Sequence, residues 1–203
     1  RLAEAGFEAC LVGGCVRDLV LGAARGEPVE PKDWDIATDA KPEEVQKLFS
    51  AFAGATADKP ATVYENQFGT VGVKTGSENE RLKVIEVTTF RLEGRYTDKR
   101  HPDAITFAKT IEEDLSRRDF TVNAMALSLT NNQKQITNNS HKSSVVSRQL
   151  ELVDPYGGRD DLENKIIRTV GKPDDRFAED ALRLMRAVRF AVEFGFEIEL
   201  ETR

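Results

Sequence analysis

Two short stretches carry residue types that could do chemistry together. The first is Leu11-Val12-Gly13-Gly14-Cys15-Val16-Arg17-Asp18, and the second, about sixteen residues on, is Pro31-Lys32-Asp33-Trp34-Asp35-Ile36-Ala37. Gly13 and Gly14 let a backbone approach an anion closely, and Arg17 can hold that anion with its guanidinium fork. A plain tight turn is the competing reading of the glycine pair. The G-x-G-x-x-G spacing of a dinucleotide fold is absent. On a strand, Asp33 and Asp35 share one face while Trp34 and Ile36 share the other. Two like charges side by side call for a divalent cation, and for hard carboxylate oxygens that cation is Mg²⁺. A phosphate cradle beside an Asp-x-Asp pair reads as phosphoryl or nucleotidyl transfer.

The elements that must position these groups follow from pattern. Residues 1–9 read as the end of a helix with Gly6 as its C-cap, and Glu8–Val12 as the first strand. Arg17–Leu21 reads as a short helix ended by Gly22. Ala24–Lys32 is a Gly- and Pro-containing loop, and Asp33–Ala37 a strand. Pro42 suits a first helical turn, and Val45, Leu48, Phe49 and Phe52 recur at i, i+3, i+4, i+7, one buried helix face. Residues 54–66 read as a polar loop, Phe68–Lys74 as a strand and Gly76–Glu80 as a hairpin turn. Arg81–Arg91 alternates as a strand with Val84, Glu86 and Thr88 on one face. Glu86 is thus either a third carboxylate facing the aspartates or a solvated strand residue.

Further along, Leu92–Pro102 reads as a mobile charged loop, and Ile111–Leu129 as mainly helical. Residues 130–150 are rich in Asn, Ser and Gln without helical period, a disordered or poorly ordered insertion within a hairpin. A turn at Leu152–Gly158, a short helix at Asp160–Asn164 and an extended Ile166–Val170 come next. Asp174–Glu193 reads as one long helix, buried along Leu182, Met185, Val188 and Val192 and ended by Gly195.

The order GG-x-VRD, D-x-D, Arg117-Arg118-Asp119-Phe120-Thr121-Val122-Asn123-Ala124-Met125 and Glu179-Asp180-Ala181-Leu182-Arg183 resembles the class II tRNA nucleotidyltransferases, that is, the CCA-adding enzymes and the bacterial poly(A) polymerases. The motifs cover nearly the whole chain. The resemblance implies an α+β fold: a nucleotidyltransferase-type mixed or antiparallel sheet with helices on one side over residues 1–153, then the start of an all-α neck over 154–203. The family's body and tail helices, which hold tRNA, are missing from these 203 residues, so the chain looks like a head with part of its neck. The resemblance implies template-independent addition of C and A from CTP and ATP to the 3′ end of tRNA, with pyrophosphate released and Mg²⁺ bound by Asp33 and Asp35. Gly13, Gly14, Arg17 and Arg118 would bind phosphates, and Asp119 and Asn123 the ribose. Asp180 and Arg183 would read the base, with Arg186 and Arg189 nearby. The alternatives are a poly(A) polymerase, or an inactive nucleotide- or RNA-binding module on the same fold. The bland reading of Arg117–Asp119 is a solvated helix face, and that of Asp180 and Arg183 a surface ion pair.

Composition sets outer bounds. Hydrophobic residues make up 39% of the chain and charged residues 32%, enough for one core with a small appendage. A net charge of −6 provides no global basic field for nucleic acid, so tRNA contacts must be local or lie elsewhere. No apolar run spans a membrane and no signal-peptide pattern opens the chain, although it begins at Arg1 rather than Met, which leaves room for a leader. Cys10 and Cys15 read as reduced and buried, as in a cytoplasmic protein, in preference to a disulfide. Two histidines, His101 and His141, are too few for a Cys/His zinc site.

Overall fold

The computed structural model describes residues 1–27, 29–52, 62–65, 68–97, 100, 102–138 and 141–203; for 51–52, 62–65, 130–138 and 141–149 the backbone alone is described. The elements in chain order are β1 (Cys10–Val12), α1 (Gly14–Arg25), β2 (Asp35–Thr38), α2 (Pro42–Phe52), β3 (Thr62–Glu65), β4 (Thr70–Lys74), β5 (Val84–Thr89), β6 (Arg91–Glu93), β7 (Ile105–Phe107), α3 (Ile111–Ser116), β8 (Ala126–Asn138), β9 (His141–Val153), α4 (Gly158–Asn164), β10 (Ile166–Ile167), α5 (Pro173–Glu179), α6 (Leu182–Phe194) and β11 (Glu197–Ile198). Seven strands form one sheet in the order β3-β4-β5-β2-β1-β8-β9. β2 and β5 run parallel, whereas β1 pairs antiparallel with both β2 and β8, so the sheet is mixed. The fold is α+β, as the motifs imply, but residues 154–203 are not all-α as expected, since β10 and β11 pair in parallel there.

Register explains the packing. Leu11 lies opposite Ile36 and Leu127, and Ile36 opposite Val87. On this face Ile36 packs with Val45, Leu48 and Phe49 of α2, and Leu11 with Val16 of α1. Cys10 and Val12 point the other way and pack against Ile111 and Leu115 of α3. Helices therefore cover both faces, a correction to the one-sided arrangement expected. The apolar spacing of α3 is too short to signal its side of the sheet.

Several boundaries differ from those the pattern suggests, each for a local reason. α1 starts at Gly14 and runs through Gly22 to end at Gly26 in the left-handed region. A Cβ on Gly22 would lie 2.7 Å from the Glu27 carbonyl oxygen, so that glycine admits the returning loop instead of ending the helix. The N-terminal residues form a single 3-10 turn, Ala3–Ala5, closed by Gly6. Asp33 precedes β2 instead of opening it. Within the expected polar loop, Thr62–Glu65 is a strand, while 53–61 and 66–67 lie outside the described residues, as does the Phe52 side chain. The strand expected over Arg81–Arg91 divides into β5 and β6, and the expected mobile loop contains β6, paired with β7; residues 98, 99 and 101 lie outside the description.

The helix expected over 111–129 stops at Ser116. Beyond it the backbone bonds sideways: Val170 N–H to the Asp119 carbonyl at 3.0 Å and Thr121 N–H to the Arg168 carbonyl at 2.9 Å. These replace helical bonds, and Phe120 bridges Thr169. The polar stretch after it lies in a hairpin, as expected, but its ladder is a correction: β8 and β9 pair from Ala126↔Val153 out to Asn138↔His141, where a disordered or poorly ordered insertion was expected. An antiparallel ladder satisfies backbone groups whatever the side chains. Residues 139–140 lie outside the described residues.

The long helix expected over 174–193 is two, α5 and α6, broken where Asp180 is extended at φ −138°, ψ 109°. Its buried face is also corrected. Met185 is 67% and Val192 79% exposed, with Leu182 and Val188 exposed as well, whereas Arg183, Ala187 and Phe190 face inward. Phe190 meets Phe120 edge-on, with ring centroids 5.8 Å apart. That aromatic contact decides which face of α6 is inside. Phe190, Ile167 and Leu162 share a core with Cys15, Val16, Phe120 and Met125, tying residues after 153 to the glycine-turn helix. Among the described residues no helix is long and apolar enough to cross a membrane.

Candidate active site

The glycine turn, β2, the Arg118–Asn123 segment and α6 converge on one cleft of about 480 Å³. Gly13 adopts φ 75°, ψ −134° and forms the N-cap of α1. A Cβ there would sit 2.8 Å from Arg118 Nη1 and 3.9 Å from Asp35 Oδ2, so only glycine lets the chain pass between an arginine and an aspartate. The N-terminus of a twelve-residue helix thus opens into the cleft, with Gly13, Gly14 and Cys15 on its wall; its N–H groups and dipole favour an anion.

Asp33 and Asp35 both line this cleft, though only Asp35 is in the strand. Trp34 and Ile36 turn into apolar clusters, as alternation requires. Burial, the facing Glu86 and the neighbouring Asp33 push the Asp35 carboxyl above its usual range, against the pull of Arg118. Glu86 lies directly across from Asp35 in the parallel β2/β5 pair and is exposed; it is not among the residues lining the cleft. Among the described residues no group of three or more His, Cys, Asp or Glu is placed to hold a metal ion. The negative charge crowded around Asp35 suits a cation, and two carboxylates fit Mg²⁺, which takes few protein ligands and fills its shell with water and phosphate oxygens.

A chain of polar contacts crosses the cleft from α1 to α6. Arg17 donates through Nε and Nη2 to Asp18 Oδ1 at 2.9 and 2.7 Å, and through Nη1 to Asn123 Oδ1 at 2.7 Å. Asn123 Nδ2 donates to Asp119 Oδ1 at 3.4 Å, and Asp119 Oδ2 accepts from Arg186 Nε at 2.6 Å. Asp119 and Asn123 thus bond to each other, although neither residue is in an α-helix. Arg189 also lines the cleft and stacks on Phe190, 4.8 Å from the ring centroid. Far from being a solvated face, Arg118 is largely buried; it reaches Asp114 at 3.4 Å, and its Nε has no partner. Burial, with Arg117 beside it, weakens its hold on its proton, against the attraction of Asp114.

Arg118, Asp119 and Arg186 also border a second cleft of about 450 Å³, which contains Asp180 and Arg183. These two do not form the pair expected from helical spacing. Asp180 Oδ1 accepts from the Leu182 N–H at 2.8 Å, as a helix cap, because the chain is extended there. Arg183 is buried against Glu179 at 2.5 Å and donates to the Arg117 carbonyl at 3.4 Å. In the neighbouring network, local spacing gives no sign that Glu93 meets Arg117. Glu93 Oε1 accepts from Arg117 at 2.8 Å and from Arg91 at 3.1 Å, its Oε2 takes the Tyr96 hydroxyl, and Arg117 also holds Asp114 at 3.0 Å. Burial pushes Glu93 up, but Arg117, Tyr96 and Arg91 together outweigh it and hold the carboxyl below its usual range. Asp18 and Glu179 had local signals that could have found them: one is adjacent to Arg17, the other four residues before Arg183. Cys10 and Cys15 are free and buried, as expected, and burial pushes the Cys10 thiol up to about 11.

The family described as Poly A polymerase head domain matches residues 9–168. The chain belongs to that family, and three of its four motifs lie within the match. Among curated relatives, the CCA-adding enzyme of Lactobacillus delbrueckii subsp. bulgaricus is 42% identical over 203 residues, covering 100% of this chain and 41% of that protein. The CCA-adding enzyme of Geobacillus kaustophilus is 41% identical over 204 residues, with the same coverage of each. The chain thus spans about two fifths of the length of these relatives. Among solved structures, the Bacillus stearothermophilus CCA-adding enzyme in complex with CTP has a TM-score of 0.68 and 39% identity over 99% of this chain and 39% of that one. A tRNA nucleotidyltransferase complexed with a primer tRNA and an incoming ATP analog has a TM-score of 0.66 and 30% identity, covering 99% and 46%.

Proposed function

We propose that this chain is the catalytic part of a tRNA nucleotidyltransferase that adds C and A from CTP and ATP to the 3′ end of tRNA and releases pyrophosphate. The observation that carries the reading is the single cleft in which a helix N-terminus, two aspartates and Arg17, Arg118, Arg186 and Arg189 meet. Membership of the family, and relatives named as CCA-adding enzymes across the whole chain, support it. In this reading residues 1–153 are the head and 154–203 begin the neck. The free, buried cysteines suit a cytoplasmic protein.

Each residue then has a task. Gly13 and Gly14 bring backbone N–H groups to the triphosphate, and Arg17 and Arg118 neutralise its charge. Asp33 and Asp35 would hold Mg²⁺, which when bound lowers the barrier to attack by the tRNA 3′-hydroxyl. Asp119 and Asn123, already bonded to each other, face the ribose. Asp180 and Arg183 read the base: a carboxylate accepts from the exocyclic amino group that C and A share, and a guanidinium donates to the adjacent ring nitrogen. Uracil and guanine reverse both positions. For this the Asp180 carboxylate must turn from its cap, or share it, when a nucleotide enters.

The test is incubation of the full-length protein and Mg²⁺ with tRNA lacking its CCA end. The expected result is two C additions with CTP alone, one A after them when ATP is added, and then arrest. Long tails with ATP alone would indicate the poly(A) activity instead, and no incorporation under any mixture would indicate a binding module.

A further inference from the structure

Arg17 is held more tightly than phosphate binding alone requires. Its side chain is 12% exposed, and its bonds to Asp18 and Asn123 occupy three of its five N–H groups. A Cβ on Gly14 would lie 3.5 Å from Arg17 Nη2 and 3.8 Å from Nη1, so both terminal nitrogens face the glycine turn. The two remaining N–H groups sit on those nitrogens. The bonds to Asp18 and Asn123 act at the edges of the guanidinium. They act in its plane and leave both of its faces without a hydrogen bond. The face is covered from α6: the Arg17 carbon Cζ lies 4.6 Å from the Phe194 ring centroid and 5.7 Å from that of Phe190. The two rings stack at 5.7 Å with a 16° interplanar angle.

We propose that Phe194, backed by Phe190, is a positioning residue that sets the plane of the Arg17 guanidinium, so that its free N–H edge meets the phosphates of a bound nucleoside triphosphate. The inference rests on the reading of the cleft as a triphosphate site. It assigns the C-terminal part of the chain a share in the phosphate pocket, since the neck helix α6 supplies the ring and the head helix α1 the arginine. A ring on the face costs Arg17 none of its donors, because stacked guanidinium keeps its edge free. Phe190 is buried in the core and stays in place whichever residue stands at 194.

The experiment is calorimetric titration of the full-length protein with ATP and Mg²⁺, for Phe194→Leu, Phe194→Tyr, Arg17→Ala and the double variant Arg17→Ala/Phe194→Leu. Leucine keeps apolar volume and removes the π face; tyrosine keeps the ring. The expected result is about fivefold weaker ATP binding in Phe194→Leu, the scale of one partly buried cation–π contact. Tyrosine restores wild-type affinity, and Phe194→Leu has no further effect once Arg17 is gone. Wild-type affinity in Phe194→Leu beside weakened Arg17→Ala overturns the inference alone. An equal loss in both backgrounds also overturns it, because the ring then acts through general packing. Wild-type affinity in Arg17→Ala overturns the phosphate reading of Arg17 and the inference with it.

Discussion

The two clefts are built from the same residue types and treat charge in opposite ways. In the first, charge is left open beside the Arg17–Asp18 and Arg186–Asp119 pairs. Asp35 is crowded by Glu86 and Asp33, Arg118 has a buried Nε without a partner, and a helix N-terminus points into the space. In the second, nearly every charge is cancelled: Glu93 by Arg91 and Arg117, Arg183 by Glu179, and the Asp180 carboxylate by a backbone N–H. Unbalanced charge marks where a ligand supplies the missing partner. Balanced charge marks a frame that holds shape and must exchange partners before it can read anything.

The largest test of this contrast is at the open end. Asp33→Ala and Asp35→Ala should each lower nucleotide incorporation by at least about a thousandfold, as loss of a group aimed at the transition state does. Asp35→Asn should leave the urea midpoint unchanged or raised, since it removes one of several crowded carboxylates. Near wild-type turnover in either alanine variant, measured in single-turnover assays with Mg²⁺, breaks the assignment.

The balanced end predicts the reverse. Glu93 is 9% exposed, and Glu93→Gln removes the carboxylate that Arg91 and Arg117 share, leaving Arg117 with Asp114. The expected loss is about 3 kcal/mol of unfolding free energy by urea titration, the scale for breaking a buried pair from one side. A stability equal to wild type would mean the second cleft is no more balanced than the first.

Base choice sharpens the comparison further. Asn is as good a cap as Asp, so Asp180→Asn should keep α6 and overall stability while losing the carboxylate. Discrimination of CTP against UTP, as the ratio of kcat/KM, should fall by about tenfold or more, given about 1–3 kcal/mol per mispaired buried group. Arg183→Ala should lose the same selectivity together with the Glu179 contact. If both variants slow CTP and UTP equally, these residues hold the substrate without reading it.

The smallest expected effect is a pH dependence. The folded pKa of Glu93 lies below its ordinary 4.5, so its contribution is fully present above about pH 4.5 and fades as pH falls through the folded value. Unfolding free energy measured from pH 6 down to 3 should fall less steeply for Glu93→Gln than for wild type. Parallel slopes would remove Glu93 from the account.

The open cleft was far more legible in the sequence than the balanced one. Gly13, Gly14, Arg17, Asp33 and Asp35 stand in two local motifs whose types declare a task, and the structure brings them to one wall. The α2 helix was legible as well, because Val45, Leu48 and Phe49 repeat at the period their burial demands. What sequence could not show was long-range exchange. The helix after Ser116 ends because backbone groups at 119 and 121 bond across to 170 and 168. The α6 stripe misled because Leu182, Met185, Val188 and Val192 look like a core, whereas Phe190 found Phe120 on the other face. Glu93 meets Arg117 across a gap that no period spans, and the cap formed by Asp180 depends on an extended residue that helical spacing takes as continuous.

One pairing has a consequence for how the molecule comes into being. β1, which leads into the glycine turn of the first cleft, gets one neighbour early, at Ala37, and the other only at Ser128. A nascent chain that has not yet delivered Ser128 leaves one edge of its central strand unpaired, a template for misassociation. Such distant closure is slow, because the entropy of a long loop is lost before any contact repays it. Asp119 then waits for Arg186, and Arg17 for Phe194. The cleft therefore gains its α6 wall only after that helix docks, so a folding intermediate without α6 lacks Arg186 in the cleft and Phe194 on Arg17.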